Sequence, residues 1–445
     1  MNQLTLALLI FGLCYLAIVT ERWHKTIVAM FGAVLMISLG ILTQEEAFYS
    51  REYGVDYSVI FLLIGMMVII NITRKTGLFE YLAIWAAKRA DARPIRMLLL
   101  LSVITAALSA LLDNVTTVLL MAPVTLEICR RLELDPVAFL VSEALASNIG
   151  GTATLVGDPP NIMIASKAGL EFMDFLFVLA PVAAVIMLAY LAVLWAMYRR
   201  NMAVSEKLRR AVMSLNERQE IRSPAMLRRC LWLLGFTTLG FCLHGLIHIE
   251  PATVALLGAS LFMLAGHEGQ ETGGQELDYL MQVEWKTIFF FIGLFILVGA
   301  LVKVGAIHAV AKEVVHIARG NEAATMFAVL WGSAVFSAAV DNIPYVAAMN
   351  PLIVDLARSL HPEISNYASL VRQSDVLPLW WALALGACLG GNGTLIGASA
   401  NVVVVDYARR AGHPISFIRF MAFGLPVMLG SMVISSVYLW LRFLL

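Results

Sequence analysis

The chain has 445 residues, 60% of them hydrophobic and only 14% charged, and its 31 basic and 31 acidic side chains cancel to zero net charge. A soluble protein carries about a quarter charged residues, and a nucleic-acid binder carries a basic excess. Composition therefore excludes both classes. Uncharged runs cover 1–20, 26–44, 57–73, 175–198, 230–249, 323–340 and 420–441, each close to the ~20 residues that cross a hydrocarbon core. The first run lacks a basic leader and a small-residue cleavage site, so it reads as a span rather than a removed signal.

Taken in chain order, the sequence states one pattern twice. Two spans (4–20, 26–44) precede a long span (57–73) and a short amphipathic stretch broken at Gly77. An interrupted helix follows (96–112, 114–129), then a second discontinuous element (137–149, 161–168) and a closing span (175–198). The segment 199–229 carries nine basic residues and reads as a linker between copies. The second copy repeats the order: 230–249, 251–266, 286–303, a break at Gly305, then 323–340 with 343–358, 376–389 with 401–410, and 420–441. LDNVTTVLLMAP (112–123) recurs as VDNIPYVAAMNP (340–351), and GGTATLVGDPPN (150–161) as GGNGTLIGASAN (390–401). The domains expected are a first repeat over 1–198, the linker 199–229 and a second repeat over 230–445.

Basic residues orient the copies. The linker and the loop 86–97 are rich in Lys and Arg, which places them on the cytoplasmic side. The first turn holds Arg22 and Lys25, whereas the matching turn 245–252 holds no Lys or Arg. That difference predicts insertion in opposite senses. The fold expected is an all-α polytopic membrane protein of two inverted-topology repeats with broken helices and re-entrant hairpins, roughly ten to twelve crossings in all. Its expected location is the inner (plasma) membrane.

The repeated polar segments are the candidate site. Fifteen uncharged residues (98–112) precede Asp113, so its carboxylate sits near membrane depth, where such groups are costly and usually functional. Asp and Asn are strong N-caps, so Asp113-Asn114 and Asp341-Asn342 are expected to start half-helices whose N–H groups face a cavity. The Gly-rich segments must be irregular backbone, tolerated at membrane depth only where it is buried or lines a wet cavity. Residues 148–161 and 390–401 are expected as re-entrant hairpin tips, and Asp158-Pro159-Pro160 against Ala398-Ser399-Ala400 makes them inequivalent. Glu143 is a candidate proton carrier or lysine partner. Lys75 and Lys303 are expected to snorkel at span ends or to balance the aspartates. His244 and His248 stand four apart, a helical metal-ligand spacing. No third ligand is near, and neither metal nor cofactor is expected. The five cysteines show no metal-like spacing, although Cys388 adjoins the second Gly-rich segment.

These segments resemble the ion transporter superfamily, most closely its arsenite/antimonite permease and melanosomal P-protein branch, over nearly the whole chain. The resemblance implies a central site built from both halves: Asp113, Asn114, Thr117, Asn148, Gly151 and Thr152 from the first, and Asp341, Asn342, Gly391, Asn392 and Thr394 from the second. It implies an elevator-like or rocking movement of these elements against the other spans. The function expected is proton-coupled export of arsenite or antimonite, with Asp113, Asp341 and Glu143 carrying protons. A sodium/proton antiporter or an anion transporter on the same scaffold is the alternative. No arginine flanks either tip, which speaks against a dedicated carboxylate clamp. An aspartyl protease is disfavoured because Leu112 and Val340 precede the aspartates where such enzymes carry Tyr or Gly. No G-x-x-x-x-G-K-[ST] loop occurs, so energy comes from an ion gradient or a separate ATPase subunit. Oligomeric state is left open.

Overall fold

The computed structural model describes residues 2–20, 23–199, 204–266, 279–310 and 321–445. Among these, every regular element is helical. The first half runs α1 (Gln3–Val19), α2 (Lys25–Ser38), α3 (Gln44–Tyr49), α4 (Tyr57–Arg74), α5 (Leu78–Arg89), α6 (Pro94–Ser109), α7 (Asn114–Arg131), α8 (Val137–Thr152), α9 (Pro159–Ala168) and α10 (Phe172–Tyr198). After α11 (Glu206–Met213) and a 3-10 turn (Glu217–Glu220), the second half runs α12 (Pro224–Leu243), α13 (Pro251–Gly266), α14 (Trp285–Lys303), α15 (Glu322–Ala339), α16 (Asn342–Leu360), α17 (Tyr367–Val371), α18 (Leu377–Gly390), α19 (Ser399–Arg410) and α20 (Phe417–Phe443). Among the described residues, α4, α10, α12, α14, α15 and α20 are long and apolar enough to cross a membrane, and α1, α2, α6 and α13 are shorter apolar helices.

Small residues set the packing. In α4, a Cβ on Gly65 would lie 2.7 Å from the Ala255 backbone of α13, and in α14 one on Gly293 would lie 2.6 Å from the Ala29 backbone of α2. Each half therefore lends its third span to the other half's second span, which interlocks the two. Apolar burial drives little association inside lipid, so this close backbone approach carries the contact. Deeper in, Gly150 of α8 meets the Ala106 backbone of α6, and Gly390 of α18 meets that of Ala334 in α15. Gly386 meets the Leu330 carbonyl. Four residues along α18 thus match four along α15, so the two helices run parallel, and α6 runs parallel to α8 by the same repeat.

That parallel pairing decides which element turns back. The long helix α10 has 27 residues, about 40 Å at 1.5 Å per residue. The start of α8 lies by its far end: Asp135 pairs with Arg419 at 3.4 Å, Tyr198 is within electrostatic reach of both, and the Tyr190 hydroxyl donates to the Ser142 carbonyl. The end of α9 lies by the start of α10, where the Ser166 hydroxyl donates to Asp56 and Lys167 to the Arg51 carbonyl. The α8–α9 element therefore crosses, interrupted at 153–158. Helix α7 ends only a short connection before α8, and α6 starts on α8's face, so α6–α7 enters and leaves on one side.

The second half is arranged alike from the opposite face. The connection between α16 and α18 is bonded at Tyr367 to the Lys167 carbonyl (2.7 Å) and at Arg372 to the Gly169 carbonyl. The repeats are inverted, as expected, but two roles are exchanged. The re-entrant tips are Asp113-Asn114 and Asp341-Asn342, while 148–161 and 390–401 are unwound centres of crossing helices. A Gly, Pro or Asn cluster marks a break in either case, and only the neighbour that the chain packs against fixes its direction.

Other expectations change as well. Helix α12 stops at Leu243 and His248 adopts φ +53°, so the two histidines share no helical face. His244 instead accepts the Phe172 N–H at 3.1 Å. Neither lysine balances a tip aspartate: Lys303 pairs with Glu46 at 2.6 Å, and Lys75 lies over the Tyr279 ring at 4.1 Å. The segment after 204 is docked rather than loose. Lys88 binds Glu217 at 2.5 Å and the Leu215 carbonyl at 3.0 Å, and the Arg222 N–H donates to the Thr76 carbonyl at 3.1 Å. Gly77 (φ +82°) faces the Glu220 carbonyl so closely that no side chain fits, whereas its repeat mate Gly305 (φ +77°) faces open space.

Replacing Gly150 or Gly390 by Ala is expected to lower stability by about 1–3 kcal/mol through overpacking. Gly235→Ala, where the added methyl meets open space, should not. Thermal unfolding of the purified proteins in one detergent measures the difference, and equal midpoints for all three would refute the packing assignment.

Candidate functional site

Four interruptions meet in the interior. Each unwound crossing helix is tied by its own asparagine. The Asn161 amide donates to the carbonyls of Gly151 (3.4 Å), Thr152 (3.2 Å) and Thr154 (2.9 Å), and the Asn401 amide donates to Gly391 (2.8 Å) and Thr394 (2.9 Å). These bonds satisfy carbonyls that a broken helix leaves open at membrane depth. Each hairpin tip is then stitched to the break beside it. Ser109 donates to the Ser147 carbonyl and Thr154 to that of Ala110, at 2.7 and 2.6 Å. Ser337 and Thr394 repeat both bonds, to Ala387 and Ala338, at 2.6 and 2.5 Å.

Asn148 joins the halves. Its side-chain amide donates to Asn392 Oδ1 (2.9 Å) and Asn401 Oδ1 (3.2 Å), and its Oδ1 accepts from the Asn114 amide (3.0 Å). Cys388, which occupies the position of Asn148 in the second copy, donates to Asn161 Oδ1 at 3.4 Å. The 148–401 and 388–161 bonds are therefore one contact repeated about a two-fold relation. Asn342 at the second hairpin tip donates to the Asp158 carboxylate at 3.2 and 3.4 Å. Asn148, Asn161, Asn392, Asn401, Thr117 and Thr152 have no solvent exposure, and Asn114, Asn342 and Asp158 have at most 2%.

The expected residues divide by what they do here. Asn114, Asn148, Asn342 and Asn392 form the junction. Among the described residues, the Thr117 hydroxyl and Asn114 Oδ1 are buried without a hydrogen-bond partner, and both lie on the same half-helix. The Thr152 hydroxyl donates to the Asn148 carbonyl at 2.7 Å and Thr394 to Ala338, so both hydroxyl protons are engaged by backbone. Gly151 and Gly391 are packing positions, where a Cβ would lie 2.5 Å from the Gly157 carbonyl and 2.8 Å from that of Gly397. Glu143 is buried on α8, five residues before Asn148. It accepts the Thr125 hydroxyl at 2.6 Å, its second oxygen is unpartnered among the described residues, and no lysine meets it.

The two tip aspartates are unequal. Asp113 caps α7, accepting the Thr116 N–H at 2.8 Å and its hydroxyl at 2.5 Å. Asp341 caps α16 through the Ile343 N–H and also meets Lys25 at 2.7 Å and the Ser399 hydroxyl at 2.8 Å. Lys25 starts α2, and its ammonium also lies over the Phe290 ring of α14, at 5.0 Å. In the sequence Lys25 stands out only as one of the charges that orient the first turn. Its partner Asp341 lies 316 positions away, so no local pattern pairs the two. Asp158, within electrostatic reach of both Asp113 and Asp341, was recognised only as a difference between the copies.

Residues 15–386 match the citrate transporter (CitMHS) family. The chain belongs to that family. It is 46% identical over 437 residues to an uncharacterized transporter of Mycobacterium tuberculosis, covering 98% of each chain. It is also 32% identical over 516 residues to the P protein of Homo sapiens, covering 98% of this chain and 60% of that protein. The family, which lies in the ion transporter superfamily, and the mycobacterial transporter make this protein a membrane transporter rather than an enzyme. Its fold is similar to the solved YdaH transporter of Alcanivorax borkumensis, with a TM-score of 0.59 at 14% identity over 92% of this chain and 88% of that one. It also resembles MtrF of Neisseria gonorrhoeae, with a TM-score of 0.56 at 9% identity over 100% of this chain and 96% of that one.

Lys25→Met should destabilise the protein, since it strips a carboxylate of its cation. The cost should fall below the about 3–5 kcal/mol typical of a fully buried pair, because Lys25 is partly exposed. Adding Asp341→Asn should restore most of the loss. If the two losses simply add in thermal unfolding, the pair is not coupled.

Proposed function

We propose that this transporter exports arsenite or antimonite in exchange for protons, with the junction of Asn114, Asn148, Asn342 and Asn392 as the cargo site. The observation that carries the reading is the set of neutral amide side chains at that junction, which hold no cation and have the Asp158 carboxylate bonded to Asn342. Its amides and the unpartnered Thr117 hydroxyl and Asn114 oxygen match a neutral trihydroxide, which offers hydroxyl groups alone. A tricarboxylate arriving bare would meet Asp113 and Asp158 with no free cation, because Lys25 already holds Asp341. Proton exchange is assigned to Asp113 first. It has no cation at its side, and a neighbouring charge strongly biases the protonation of a carboxylate. Asp341 can join only after Lys25 releases it, and Glu143, five residues before Asn148 on α8, is a reserve proton site. The domain limits 1–198, 199–229 and 230–445, the cytoplasmic linker and the inner-membrane location complete the proposal. Mycobacterial and animal relatives alike place it on a transport scaffold without fixing the solute.

A second reading is supported by the citrate transporter family match together with Lys25. Carboxylate cargo would take Lys25 from Asp341, and the freed aspartate would take up a proton.

Proteoliposomes holding the purified protein alone, loaded with a pH-sensitive dye, separate these readings. Arsenite added outside should move protons without nucleotide, and Asp113→Asn should cut the rate at least about tenfold, the loss expected for a positioned proton carrier. Asp341→Asn should also lose exchange while still reaching the membrane. Proton movement driven by citrate and not arsenite would establish the second reading, and movement driven by sodium alone would overturn both.

A further inference from the structure

The linker side of the molecule holds a cavity that the transport site does not use. It measures about 470 Å³ and is lined by Asn71, Arg74, Lys75, Glu80, Arg222 and Gln282. Three of these are cations and one is a carboxylate. Glu80 offsets one of the three, with Arg222 3.7 Å from one of its oxygens, which leaves two positive charges in excess. The cavity is built rather than incidental. The Asn71 amide donates to the Gln282 carbonyl at 3.0 Å, and Arg222 is held in place by the bond from its N–H to Thr76.

Position identifies the occupant. Asn71 to Arg74 are the last turn of α4, an 18-residue span about 27 Å long, nearly the ~30 Å of a hydrocarbon core. Helix α12 begins two residues after Arg222, and α14 begins three after Gln282. The cavity thus stands where three spans meet the aqueous boundary. Met281 and Trp285 beside it are 75% and 45% exposed, and the Trp285 indole donates to the Leu280 carbonyl. Apolar groups open to lipid next to a tryptophan describe the interfacial belt. Basic pockets at this level between spans suit anionic head groups.

We propose that this cavity binds the phosphate head group of an anionic phospholipid from the leaflet on the linker side. Arg74 and Arg222 clasp its oxygens, Lys75 supplies further charge, and the acyl chains lie along the exposed side chains of α14 and α12. The lipid bridges the end of α4 to the docked linker. This assignment is independent of the cargo.

The test uses the whole protein in nanodiscs of phosphatidylcholine with or without phosphatidylglycerol, read by thermal midpoint and by native mass spectrometry. Phosphatidylglycerol should raise the midpoint and remain bound on release. Arg74→Gln and Arg74→Gln/Arg222→Gln should lose both effects while matching the parent in phosphatidylcholine alone. Arg130→Gln, a charge loss at a 79% exposed arginine, should keep them. Equal lipid retention by all variants overturns the proposal. Full protection by inorganic phosphate in phosphatidylcholine discs does so too, since the cavity would then be a soluble-anion site.

Discussion

The structure rests on one constraint: unwound backbone at membrane depth must find hydrogen bonds without water. Two asparagines meet it. Asn161 and Asn401 each turn an amide onto the carbonyls of their own broken helix. Serine and threonine hydroxyls pin the neighbouring hairpin tip to the same break. Without these bonds the interruptions would cost several kcal/mol per open group. Function depends on irregular chain, and irregular chain depends on these side chains.

The same groups make the site a junction rather than two separate pockets. Once Asn161 and Asn401 face inward to hold their own breaks, their carbonyl oxygens point across the two-fold relation, where Cys388 and Asn148 donate to them. The halves are thereby coupled at the position where a solute would sit. Departures from the two-fold relation are then informative. Asp158 is matched by Ala398 and Asn148 by Cys388, and Lys25 pairs with Asp341. One half offers carboxylates without a cation, and the other offers a neutralised pair anchored to the outer helices α2 and α14. A displacement of the second tip away from α2 by more than the reach of the Lys25 side chain would part Lys25 from Asp341. The two end states of a transport cycle would therefore differ in energy.

Much of this was legible in the sequence because repetition made it so. The spans, the inversion, the tip aspartates as caps and the inequivalence of the Gly-rich segments follow from charge placement, helix-capping chemistry and the two matched motifs. The direction of each break was not legible. Gly150 against Ala106 sets α6 parallel to α8, and that contact joins residues far apart in the chain. Lys25 was hidden for a similar reason, since its partner lies 316 positions away. The pairing of His244 with His248 misled because a spacing of four means a shared face only inside a helix, and the helix ends at Leu243.

The central claim is that inverted halves bring their breaks together by sending one hairpin in from each face. Cysteine labelling in sealed vesicles of known orientation tests it most directly, with Asp135→Cys and Ala368→Cys probed by a membrane-impermeant thiol reagent against the parent protein. Labelling of the two sites from opposite faces is the predicted result. Labelling of both from the same face would contradict the account.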